Sequence, residues 1–337
     1  MEFQKVIQAL RKNHIEANYL LQGNESYLQQ LFLDTLIQVV GEDQLDRTHF
    51  DLDEVSMTQV LDEADTYAFF TPYRLIIIDN VTFLNAQTTQ KLSDEESKRL
   101  LEYLVNPNPS SIVIWRVESE QLDKRKKVSK AFLKEVTVVD ATAMKQAEVE
   151  RFVTQHVKGQ SLQMTDDARK ELLQRVQYRL SDAMNELMKL EQYALSGNPI
   201  NKDVVQQLVP RSLESNVFEL SNAIMAKQLA KATQIYEDLL LMRNEPIALH
   251  ALMVSQFRLL IQVKLLAAAG RLEHEIATQL GVHSYRVKLA MQSARQYPLE
   301  QLTALYQQLI ETDYRMKTSI GDKEIHFYLL VTQFIAI

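Results

Sequence analysis

The chain has 337 residues, no cysteine and a formal net charge of −7, with 46% hydrophobic and 24% charged residues. Such a length provides for two or three domains with their own cores, in the composition of a soluble globular protein. The missing cysteines exclude disulfides, thiolate nucleophiles and cysteine metal sites and fit a reducing cytoplasm, while the acidic balance excludes a whole-body positive field for nucleic acid, though not a local basic patch.

Met1-Glu2-Phe3-Gln4-Lys5 lacks the apolar core of a signal peptide. Val6, Ile7 and Leu10 predict a helix over 3–12, and Tyr19-Leu20-Leu21 a short buried strand. Gln22-Gly23-Asn24-Glu25 reads as a turn, with Ser26 capping the helix that carries Leu28, Leu31, Phe32, Leu36 and Val39. His49-Phe50-Asp51-Leu52 is a second strand, and Val60, Leu61 and Ala64 are the core stripe of a short helix.

That helix leads into Thr66-Tyr67-Ala68-Phe69-Phe70-Thr71-Pro72-Tyr73-Arg74 and the apolar strand Leu75–Asp79. Pro72 disfavours helical geometry at Thr71, so the helix is expected to end at or just after the aromatic pair. Adjacent helical residues point about 100° apart, so a narrow core stripe does not easily hide both rings. The local pattern leaves two readings: both phenylalanines cap the sheet, or at least one is an aromatic anchor presented to a partner.

Further on, Ser93 or Asp94 caps a helix through Leu104, and Ser111–Trp115 is another buried strand. A basic loop and short helix over 123–133 lead to the strand Val136–Asp140. Continuous apolar strands alternating with helices predict a parallel sheet covered on both faces, an α/β domain over 1–140. After Asp140 the strands stop. Helices over 145–157, 166–176, 181–194 and 202–208 make a small helical domain, 141–210. Longer helices, with Pro246 and Pro298 at two of their starts, make an all-α domain over 211–337. Its greasiest stretch, 247–269, is interrupted by His250, Gln256, Arg258, Gln262 and Lys264, which suits a helical bundle better than lipid.

The first strand–turn–helix has the layout of a nucleotide loop without its chemistry. The seven glycines are dispersed and none precedes a lysine, which excludes a Walker A loop and a dinucleotide fingerprint. Asp79 stands where an ATPase places its Walker B acid, but Asn80 follows it, so a loop-starting or capping role is expected. His274-Glu275 begins like a zinc-protease pattern, but Thr278 stands where the second histidine belongs. No Ser/His/Asp arrangement with a glycine elbow is present, and no intrinsic catalysis is expected.

Two features point to nucleic acid. Lys124-Arg125-Lys126-Lys127 is a compact basic run that reads either as a solvated loop or as a phosphate contact. Residues 276–288 have helix-turn-helix spacing in Ile276-Ala277, Leu280-Gly281-Val282 and Val287, followed by Arg286, Lys288 and Arg295. Alone, that element would suggest a DNA-binding regulator; the same corner also packs two helices in many folds.

Taken together, an ATPase-like α/β domain without a phosphate loop, a small helical lid and a larger helical bundle resemble the delta subunit of the bacterial DNA polymerase III clamp loader over nearly the whole chain. The segments that carry the likeness are Phe69-Phe70 before Arg74–Ile77, Val209–Phe218, Gln256–Leu260 and Leu280–Lys288. The resemblance implies a degenerate AAA+-type first domain, a lid and a C-terminal collar. It implies a non-hydrolysing subunit without a cofactor of its own, ATP being bound by partner motor subunits that expose the clamp-binding element. It implies that Phe69 and Phe70 enter a pocket on the ring-shaped sliding clamp, with Tyr67, Thr71, Pro72 and Arg74 shaping the element. The clamp is opened at one interface for loading on primed DNA, and the collar joins the motor subunits and delta-prime. Some relatives carry an aromatic residue before the glycine of the late collar loop; here Ile320 precedes Gly321, so that DNA role is not transferred, and Lys317 and Lys323 are left as candidate phosphate neighbours.

Overall fold

A computed structural model of the chain describes residues 3–119, 121–318 and 322–336. The Ile320-Gly321 loop singled out above lies outside them. Two compact units, Met1–Met144 and Lys145–Ile337, divide the chain.

The first unit is built on five parallel strands: β1 (Asn18–Gln22), β2 (Leu45–Asp51), β3 (Tyr73–Asp79), β4 (Ser111–Val117) and β5 (Thr137–Asp140), in the order β2-β3-β4-β1-β5. Helix α1 (Phe3–Arg11) precedes β1, and α2 (Ser26–Val40), α3 (Met57–Asp65), α4 (Asp94–Val105) and α5 (Lys127–Glu135) connect successive strands. The continuous apolar runs of β1, β3 and β4 are buried, as parallel strands covered by crossover helices must be. Trp115, the only tryptophan, is wholly buried on β4. It meets Phe132 edge-on at 5.3 Å, and its indole N–H donates to Asn18 Oδ1 at 3.0 Å. The α/β fold class read from the sequence is the one observed.

Two local expectations need correction. Ser26 does not cap α2; it is the first helical residue, and Glu25 stands at the cap position without a side-chain cap bond. Asp79 neither caps nor merely starts a loop. Its carboxylate binds Arg116 Nη1 at 2.9 Å and lies 2.7 Å from His49 Nε2, joining the carboxyl ends of β3 and β4 to β2.

The second unit holds α6 (Gln146–Gly159), α7 (Asp166–Arg175), α8 (Leu180–Ala194) and α9 (Lys202–Leu208), followed by α10 (Leu213–Met225), α11 (Leu229–Leu241), α12 (Pro246–Ala268), α13 (Glu273–Leu280), α14 (Ser284–Ala294), α15 (Leu299–Thr318) and α16 (Glu324–Ala336). Helix α12 is long and apolar enough to cross a membrane by composition. Here Leu249, Met253, Phe257, Leu260 and Val263 recur at helical spacing and lie in the core of the unit. Lys264 donates to the Ala294 carbonyl at 2.8 Å, and the His250 ring lies 2.8 Å from the Leu309 carbonyl.

Candidate functional site

Helix α3 starts with a capping box: Ser56 Oγ accepts from the Gln59 amide at 3.3 Å, and Gln59 Oε1 accepts from the Ser56 amide at 3.0 Å. Its buried stripe is Met57, Val60, Leu61 and Ala64, one helical face on the sheet. The helix ends at Asp65, well short of the aromatic pair, and so earlier than Pro72 alone predicts. Other groups stop it. Thr66 turns to extended geometry and its hydroxyl donates back to the Asp62 carbonyl at 2.7 Å. The Ala64 carbonyl, left without a helical partner, accepts from Asn108 Nδ2 at 3.2 Å and Ser111 Oγ at 2.8 Å.

Residues 66–72 therefore form a loop, and Phe69 and Phe70 ride on it with 84% and 102% of their surface exposed. This decides between the two readings of the pair: the rings do not cap the sheet. Tyr67, Pro72 and Tyr73 are exposed beside them, and Thr71 Oγ1 donates to the Tyr73 carbonyl at 3.0 Å. Two adjacent aromatic rings this exposed on a globular surface make the loop a candidate interaction site.

Arg74 differs from its neighbours. Its side chain is buried, with Nη1 2.6 Å from Glu63 Oε1 on α3 and Nη2 3.4 Å from Asp46 Oδ2 on β2. Nearby, Arg99 on α4 holds Asp62 at 2.7 Å and Asp65 at 3.1 Å; those bonds, Asp62 first, keep its guanidinium above the usual arginine range. Glu63, Arg99 and Asn108 were not singled out from the sequence. The legible signal was the last turn of α3, which carries Asp62, Glu63 and Asp65 and no cation.

Because the strands are parallel, the α3–β3 loop lies at the amino edge of the sheet and the β1–α2 turn at the carboxyl edge, where open α/β sheets bind ligands. Two amides of that turn are spent internally: Gly23 N donates to Val117 O and Glu25 N to Ala141 O, both at 2.9 Å. Gln29 Nε2 donates to Gly23 O at 2.7 Å, and Arg116 Nη2 donates to Gln29 Oε1 at 2.6 Å.

Of the cations considered for DNA, Arg125 makes two bonds to Asp123, at 2.9 and 3.0 Å. Its side chain, then its amide, draws the Asp123 carboxyl down to about 2. Lys126 donates to the carbonyls of Phe83 at 2.9 Å and Asn85 at 2.6 Å, a structural staple, whereas Lys124 and Lys127 are exposed. In the helical unit, Lys317 pairs with Asp313 at 2.7 Å, and Lys323 precedes α16.

The helix-turn-helix corner exists, but the N-terminal residues of its second helix are half-buried rather than displayed. Gly281 takes the left-handed conformation, φ 62°, between α13 and α14, and Ile276 and Val287 are buried. Tyr285 packs on Tyr178 at 4.7 Å, and burial lowers the pKa of Arg286, which lies near Glu214 and Arg179. A recognition helix reads bases with its N-terminal residues. Here those residues are part of the unit's own packing, and the regulator reading is corrected on that ground.

Comparison with known proteins gives a consistent result. A family model described as "DNA polymerase III, delta subunit" matches residues 19–142, and one for the delta subunit's C-terminal domain matches 214–334. DNA polymerase III subunit delta of Bacillus subtilis (strain 168) is 33% identical over 331 residues, 97% of this chain and 95% of the relative. A probable DNA polymerase III subunit delta of Aquifex aeolicus (strain VF5) is 24% identical over 297 residues, 87% of this chain and 83% of the relative. Among solved structures, the Bacillus subtilis DNA clamp loader delta protein matches with a TM-score of 0.80 at 32% identity, covering 99% of this chain and 100% of that one.

Proposed function

The chain belongs to the family of DNA polymerase III clamp-loader delta subunits, and from that premise we propose that Phe69 and Phe70 are the wedge by which it binds the sliding clamp. The observation that carries this reading is the exposure of both rings on a loop whose two ends are anchored. Central aromatic anchors contribute ~2 kcal/mol or more each when they fill a partner's pocket, which is ample for a pair to dominate an interface. Tyr67, Thr71 and Pro72 shape the rim, and Arg74 acts from beneath it. Binding opens the ring because the subunit prefers the open form; a ligand shifts an equilibrium only by its differential affinity.

ATP work falls to partner motor subunits. Two of the turn amides, Gly23 and Glu25, are already bonded within the chain, and the turn lacks the clustered glycines and lysine of a phosphate loop, which supports a non-hydrolysing role. The helical unit serves as the collar that joins the motor subunits and delta-prime. Ile310 and Tyr314 on α15, and Ile325 and Leu329 on α16, are exposed apolar pairs at helical spacing and suit that assembly. Within the loaded complex, Lys124 and Lys127, the exposed lysines of the basic run, serve as phosphate contacts to primed DNA. The work is that of a soluble protein in the cytoplasm.

The test is co-elution of the full chain with purified sliding clamp. The wild-type chain is expected to co-elute and a folded Phe69→Ala/Phe70→Ala double variant to elute alone; undiminished co-elution of that variant would sink the assignment.

A further inference from the structure

Asp62, Glu63 and Asp65 place three carboxylates in the last turn of α3, with no cation in that turn. A helix carries partial negative charge at its carboxyl end, so these residues repel the end they sit on and favour fraying. Fraying here would lengthen the loop bearing Phe69 and Phe70 and let it wander. Two arginines from other elements oppose it. Arg99 on α4 takes Asp62 at 2.7 Å and Asp65 at 3.1 Å. Arg74, at the second position of β3, takes Glu63 at 2.6 Å and Asp46 on β2 at 3.4 Å. Glu63 also accepts from Thr48 Oγ1 at 3.2 Å, so it is tied to β2 as well.

The geometry points to a two-arginine lock on the carboxyl end of α3, with Glu63–Arg74 closing the base of the 66–72 loop, that holds the aromatic pair in its binding-ready conformation. This rests on the clamp-binding reading of the pair and adds the device that presents it. Glu63 lies just before the loop and Arg74 just after it, so their ion pair joins the two ends directly. The Arg74 side chain is only 10% exposed, and its guanidinium cannot reach a partner without releasing Glu63. Among the described residues its Nε has no hydrogen-bond partner, so the guanidinium is held through its two Nη contacts. Arg74 and Arg99 are thus positioning residues. A loop ordered before binding spares the complex the entropy of ordering it.

Clamp affinity and amide hydrogen exchange of the full chain distinguish this lock from a direct contact. Arg74→Met and Glu63→Met should each weaken clamp binding roughly tenfold, through lost pre-organisation. The double variant should be weakened by much less than the sum of the two single effects, because both substitutions remove the shared Glu63–Arg74 pair. Arg74→Lys should recover part of the affinity, since a lysine reaches one carboxylate but not two. In the absence of clamp, the amides over 62–66, bonded in the last turn of α3 and its cap, should exchange faster in both single variants, with β3 and β4 protected as in the wild type. If Arg74→Met binds weakly and Glu63→Met binds normally, Arg74 touches the clamp and the lock is wrong. Unchanged exchange over 62–66 in both variants also overturns it, even if Arg74→Met binds poorly. Failure of the wild-type chain to bind clamp, or full binding by Phe69→Ala/Phe70→Ala, would instead remove the docking reading; the exchange measurement judges the lock independently.

Discussion

At the scale of single residues, the molecule separates rings that hold it together from rings that do not. Phe69 and Phe70 touch almost nothing of their own chain, so replacing both with alanine should change stability by no more than about 0.5 kcal/mol in urea unfolding. The same change should abolish clamp binding, and a large loss of stability would show that the pair had a packing role. Their exposure was only half legible: the pattern showed that one stripe could not hide both rings, but not that the helix stops before reaching them. Buried His250 is the opposite case. Burial depresses its pKa below the ordinary 6.5, against the opposing pull of the Leu309 carbonyl and Asp313, with Lys317 and His326 also nearby. The unfolded chain therefore binds this proton more readily than the folded one. Stability from this group is full above pH 6.5 and falls as pH drops through the depressed value. Urea unfolding at about pH 7.5 and about pH 5.5 should show a loss of up to ~1.4 kcal/mol per pH unit from this group, and a smaller loss in His250→Gln.

At the scale of elements, the strands were the most legible part, because β1, β3 and β4 are buried on both faces and read as unbroken apolar runs. Helix ends were less so. Ser93, one of the two caps expected from the sequence, closes a capping box with Glu96, and Ser56, not singled out, closes one with Gln59. The end of α3 could not be read locally, because the groups that receive the Ala64 carbonyl stand 44 and 47 residues away. The buried place of Arg74 was hidden likewise, since two of its three elements are known only once the sheet is assembled. The β1–α2 turn gives a sharper test. Gly23 has φ +115°, and a Cβ there would lie 2.3 Å from the Ala141 backbone. Gly23→Ala is expected to destabilise the first unit by more than about 3 kcal/mol, combining backbone strain with a clash that no side-chain rotation relieves. A loss of unfolding free energy under about 0.5 kcal/mol in chemical denaturation would show that the turn can move aside.

At the scale of the whole molecule, the exposed apolar faces are distributed by unit. The first unit concentrates its aromatic exposure in one loop, and the second displays Ile310, Tyr314, Ile325 and Leu329 on its last two helices. Tyr314→Glu with Leu329→Glu should therefore prevent assembly with the motor subunits while leaving clamp binding by the isolated chain intact. Normal loader assembly on gel filtration would assign the collar contact to another face. Trp115 brings a spectroscopic consequence. The sole indole lies in the interior of the first unit, and the second contains none. Its fluorescence should therefore report the opening of one half of the chain alone, shifting to the red when that half melts and staying blue while the helices of the other half dissolve. Compared with helical circular dichroism in one titration, a single native residue would show whether the halves unfold together or in turn.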